Sequence, residues 1–129
     1  MLTEVFPFLL PRNIEHDLSA RLRSLAADLD EIRRGAAPGA DVLADSPLIV
    51  EWHAALTPLG LRLVGFVAGH PLVGNRPAMT SQVWVVDPAG KWVRTLNRFY
   101  KLGIPADGNS LERLRNAGRG DAPTGGGHE

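Results

Sequence analysis

The residues best equipped for chemistry in this 129-residue chain cluster between Leu63 and Lys101. His70 stands between Gly69 and Pro71, where a permissive backbone on one side and a fixed φ on the other can present an imidazole for ligand binding or proton transfer. Thr80 and Ser81 supply hydroxyls farther along. Covalent catalysis by such a hydroxyl also needs a base steered by an acid and an oxyanion-stabilising loop, and no such pattern is present. The simpler reading has His70 bracing its own loop and the two hydroxyls bonding across a sheet or holding a turn. The four histidines, at 16, 53, 70 and 128, lie in different elements without short ligand spacing, and there is no cysteine. No metal or other cofactor is expected, and Gly65, Gly69 and Gly74 are too loosely spaced, with no helix after them, to cradle a phosphate.

The strongest binding signal is the segment Lys91-Trp92-Val93-Arg94-Thr95-Leu96-Asn97-Arg98-Phe99-Tyr100-Lys101. Cations interleaved with aromatics can contact phosphates while rings stack on bases, or the same groups can anchor on an acidic protein surface. The plainer alternative packs the rings in the core and leaves the cations to water. Fourteen basic and fourteen acidic residues balance overall, so no global field draws the chain to nucleic acid or an anionic membrane. The charge is nonetheless uneven. Residues 1–60 hold five Arg against nine Asp and Glu, whereas Lys91, Arg94, Arg98 and Lys101 have no acid among them. The candidate binding residues are His70, Arg76, Thr80, Arg94, Arg98, Tyr100 and Lys101.

The elements that must carry these residues follow from periodicity. Leu18, Leu22, Leu25, Leu29 and Ile32 recur at 4-3-4-3 spacing, which predicts an amphipathic helix capped near Asn13 and stopped by Gly35. Its stripe is expected to pack on a sheet rather than on a second copy. GAAPGADVLAD reads as a loop, and Ser46-Pro47 as the start of a short second helix with Leu48, Trp52 and Leu56 on one face, halted at Pro58 and Gly60. From Leu61 to Ala68 the period becomes two, predicting a strand; a second strand is expected over Met79 to Val86 and a third over Lys91 to Asn97 or beyond. Asp87-Pro88-Ala89-Gly90 between the last two predicts an antiparallel hairpin, with Trp84 or Val85 clasping Trp92 or Val93.

The arrangement Gly65-Phe66-Val67, Gly69-His70-Pro71, Arg76, Thr80-Ser81, Trp84, Trp92, Arg94-Thr95-Leu96 and Tyr100-Lys101-Leu102-Gly103 resembles a family of small uncharacterised bacterial proteins, mostly alphaproteobacterial, that form a domain of unknown function. The resemblance covers about Leu18 to Gly103, with Gln82 standing where a proline or apolar residue is expected. It implies an α+β organisation and a functional surface on these motifs, and no reaction.

The sequence therefore predicts one α+β domain over residues 1–104, in which a long N-terminal helix and a short one pack on a small antiparallel sheet of three or more strands. Residues 105–129 are expected to form a weakly ordered tail with a short helix near Ser110 to Ala117. The apolar start, MLTEVFPFLLPRN, carries Glu4, Pro7 and Pro11 and does not read as an export signal, and no run is long enough to span a bilayer. Together with the missing cysteines this points to the cytoplasm. The expected function is a non-enzymatic protein-interaction or accessory module, monomeric or homodimeric, with a small nucleic-acid-binding regulator using residues 91–101 as the alternative.

Overall fold

The computed structural model describes residues 1–36, 38–68 and 76–107. A short helix, α1 (Leu2–Val5), and two single 3-10 turns at Pro7–Leu9 and Pro11–Asn13 lead into α2 (Leu18–Arg33). Asn13 belongs to the second of those turns and donates its side-chain amide to the Pro7 carbonyl at 2.7 Å, so it does not cap the helix, which starts with its first leucine, Leu18. Its far end is where Gly35 predicts. Gly35 N donates to Ile32 O and Ala36 N to Glu31 O, the paired bonds of a Schellman stop, with Gly35 at φ +89°. Leu25 is buried and Leu18, Leu29 and Ile32 partly so, while Leu22 is 46% exposed. The stripe is thus only partly covered.

The second helix is displaced upstream. Ala40–Asp45 forms α3 within the expected loop, and the segment read as a helix from Ser46 is a ten-residue strand, β1 (Leu48–Thr57). A spacing of four residues is even, so Leu48, Trp52 and Leu56 satisfy the strand period as well as the helical one. Pro58 and Leu59 turn the chain into β2 (Gly60–Ala68), and Thr57 Oγ1 fastens this hairpin by donating to Gly60 O and accepting from Leu59 N. A two-residue bulge at Glu51-Trp52 interrupts the ladder between Val50 and His53. Gly65 faces it. A Cβ at Gly65 would lie 2.8 Å from Val50 O and 3.0 Å from Trp52 Cα, so only glycine lets the bulged backbone approach this closely.

The stretch expected as one strand from Met79 to Val86 is two, β3 (Arg76–Met79) and β4 (Val83–Val86), and the third expected strand breaks at Leu96-Asn97 into β5 (Trp92–Thr95) and β6 (Phe99–Leu102). The β4–β5 turn follows its sequence signal. Asp87 accepts from Ala89 N and Lys91 N through its side chain and from Gly90 N through its carbonyl. The aromatic clasp forms elsewhere: Trp92 meets Phe99 edge to face, 5.6 Å between centroids, while Trp84 is 50% exposed.

The six strands form one sheet in the order β3-β2-β1-β6-β5-β4. All neighbours are antiparallel except β1 and β6, which run parallel, so the sheet is mixed and the fold is α+β. Its two edge strands, β3 and β4, are joined by only Thr80, Ser81 and Gln82. Five strand spacings would part the edges of a flat sheet by about 24 Å, whereas four residue steps span at most about 14 Å. The sheet must therefore curl. Its concave face gathers the core of Ile49, Leu63, Val67, Ala78, Val93 and Tyr100, with Trp52, Val83 and Leu102 packed against them. Among the described residues no helix is long and apolar enough to cross a membrane.

Candidate functional site

Alternation along β5 and β6 divides the cationic and aromatic segment between two faces. Register pairs Trp92 with Lys101 and Arg94 with Phe99 on the outer face, and Val93 with Tyr100 on the inner one. The rings are core: Trp92 is 6%, Phe99 9% and Tyr100 0% exposed. Arg94 joins them at 2%. Its guanidinium lies 5.3 Å above the Phe99 ring, donates to Thr95 O and to Ser24 Oγ of α2, and sets Nε 3.0 Å from Asp28 Oδ2. Burial lowers its pKa, the charge of Asp28 works against that, and an arginine stays a cation in any case. Arg94 is consequently a tie between the sheet and α2, not a contact offered at the surface.

Thr80 and Ser81 are committed in the same way. Thr80 is fully buried; its Oγ1 accepts from Leu63 N and donates to Ser81 O, and its own N donates to Leu63 O. Ser81 Oγ accepts from Asn97 N, and Gln82 O accepts from Leu96 N. The short link between the edge strands is stitched to β2 on one side and to the β5–β6 turn on the other. Those hydroxyls hold the curl of the sheet.

Three of the expected binding residues do converge. Arg76 at the start of β3, Arg98 just before β6 and Lys101 within β6 line one cleft of about 490 Å³. Its walls come from the end of α3 (Ala44, Asp45), the entry to β1 (Pro47, Leu48) and the end of β2 (Val67, Ala68). Arg98 is positioned by the turn beneath it. Thr95 Oγ1 donates to Arg98 O and accepts from Arg98 N. Lys101 is fixed by its backbone N–H, which donates to Pro47 O at 2.8 Å. Tyr100 lies under the same cations: burial pushes its phenol up to about 12, against the pull of Arg98 and Arg76.

His70 lies outside the described residues, as does the expected short helix near Ser110; Ala68 and Arg76, which bracket the His70 segment, both line the cleft. Among the described residues no three His, Asp or Glu side chains assemble a metal-binding group. Asp45 and the apolar entry of β1 are site residues that periodicity assigned to a loop and a helix, so nothing in the sequence set them beside Arg76.

A family model described as a family of unknown function (DUF6634) matches residues 18–126. No curated protein and no solved structure matches the chain.

Proposed function

The chain belongs to DUF6634, a family of unknown function, and we propose that it serves as a non-enzymatic protein-interaction module whose cleft receives an acidic segment of a partner protein. One observation carries the reading: Arg76 at the start of β3 shares a single cleft with Arg98 and Lys101, which lie just before and within β6. The opening cation pair, Arg76 and Arg98, is exposed, and Pro47, Leu48, Val67 and Ala68 supply apolar wall. Concave apolar surface edged by arginine suits a carboxylate-bearing peptide, which gains both desolvated contact and charge pairing.

The nucleic-acid alternative draws no support from stacking, because Trp92, Phe99 and Tyr100 are all 9% exposed or less. Only its electrostatic half survives. The deciding experiment titrates a labelled acidic peptide and labelled single- and double-stranded DNA and RNA into the purified protein at low and near-physiological salt. Saturable peptide binding that falls at least tenfold in an Arg98→Glu/Lys101→Glu variant supports the reading. Nucleic-acid binding that weakens steeply with salt, with no peptide binding, replaces it by the alternative.

A further inference from the structure

Arg62 is a buried arginine that its surroundings leave unanswered. The residue is 9% exposed, and among the described residues its guanidinium has no hydrogen-bond acceptor and no carboxylate within ion-pair distance. Arg94, also buried, has Asp28, Ser24 and Thr95 O around it. Leaving a guanidinium out of water without partners is costly, since it carries five donors and a permanent charge. Its Nε is sealed from solvent. The remaining access of the side chain is to a second cavity, of about 240 Å³, separate from the cationic cleft.

This cavity lies where the N-terminal segment and the start of α2 cross the outer face of β2. Ile14, Leu18, Leu59 and Leu96 make its apolar wall, and Ser81 and Gln82 border it from the link between the edge strands. Two other charges face the same space, Glu15 and Arg21, and they answer each other: Arg21 Nη2 pairs with Glu15 Oε2 and with Asp17 Oδ1. Among the charged residues that line the cavity, Glu15 balances Arg21 and Arg62 is left over; Asp17, the second carboxylate on Arg21, lies outside the lining.

We propose that this cavity is a binding site for a small organic monocarboxylate. Arg62 receives the carboxylate on its guanidinium fork, the geometry for which arginine is best suited, and the apolar body of the acid lies against Ile14, Leu18, Leu59 and Leu96. A doubly charged inorganic anion fits less well, because Arg21 is already taken by Glu15 and Asp17 and the apolar groups of Ile14, Leu18, Leu59 and Leu96 would go unused. The site is independent of the acidic-peptide cleft, and neither proposal needs the other.

The test is calorimetric titration of the full chain with benzoate, with benzamide as its neutral isostere and with inorganic phosphate. Benzoate is expected to bind saturably, benzamide at least tenfold more weakly, and phosphate neither to bind nor to compete. Arg62→Met is expected to lower benzoate affinity more than tenfold while raising the unfolding temperature of the free protein, because it removes an unpaired buried charge; a purely structural arginine would lower it. Ile14→Trp, at a cavity-lining position 61% exposed, is expected to fill the cavity and block benzoate with Arg62 retained, so the proposal stays testable if Arg62→Met does not fold. Equal affinity for benzoate and benzamide, tighter binding of phosphate, undiminished benzoate binding in either variant, or no saturation with any of the three overturns it.

Discussion

Arg94 of β5 and Asp28 of α2 meet at 3.0 Å, Nε to Oδ2, with the arginine side chain 2% and the aspartate 37% exposed. This contact fastens the helix to the outer face of the sheet, and it turns the most promising surface cation of the sequence into an internal brace. Asp28→Ala strands the buried guanidinium. The expected loss is about 2 kcal/mol, below the roughly 3–5 kcal/mol of a fully buried pair because water screens the aspartate. Urea denaturation measures it, and an Arg94→Met/Asp28→Ala double variant is expected to lose less than the two single changes together. A fully stable Asp28→Ala protein would show that Thr95 O, Ser24 and Phe99 hold Arg94 unaided.

Tyr100 is the chain's single tyrosine, so its ionisation reads directly at 295 nm. Burial raises its folded pKa to about 12, above the unfolded value of about 10. The folded state thus holds the proton more tightly. The resulting stabilisation, about 2–3 kcal/mol, is complete below about pH 10 and is lost as pH rises toward 12. Tyrosinate absorbance is expected to appear late, together with unfolding. A tyrosinate band rising near pH 10 with the fold intact would contradict the burial of this ring.

Gly65 and Gly35 separate two uses of glycine. Gly35 has φ +89° with nothing near a built Cβ, so Gly35→Ala is expected to cost about 1 kcal/mol from backbone strain alone. Gly65→Ala adds a carbon 2.8 Å from Val50 O and is expected to cost about 2–3 kcal/mol by displacing the bulge. Thermal denaturation of the two variants ranks them; the reverse order would mean that the bulge yields easily.

Thr80→Val keeps the shape of a fully buried side chain and deletes its hydroxyl. Leu63 N and Ser81 O each lose a partner, for an expected loss of about 1–3 kcal/mol. Hydrogen exchange is expected to quicken at the Leu63 and Leu96 amides, since both are held by the link that Thr80 anchors. A variant with unchanged stability and exchange would remove Thr80 from that role.

What local chemistry encodes is legible in the sequence. The Gly35 stop, the Asp87 turn and the strand over Leu61 to Ala68 each depend on a few adjacent residues, and each is present as the sequence reads. The α+β class follows from the same local periods. Only the tertiary structure decided that Leu48 to Thr57 is a strand, because its four-residue spacing serves both periods and the antiparallel partner from Gly60 onward breaks the tie. Only the curl of the sheet decided the site. Bringing β3 to β4 across three residues buries Thr80, Arg94 and Tyr100, sets Arg76 of β3 beside Arg98 and Lys101 at β6, and leaves Arg62 facing a cavity without a partner among the described residues. Burial and long-range pairing are properties of the curled sheet as a whole, and no window of residues along the chain contains them.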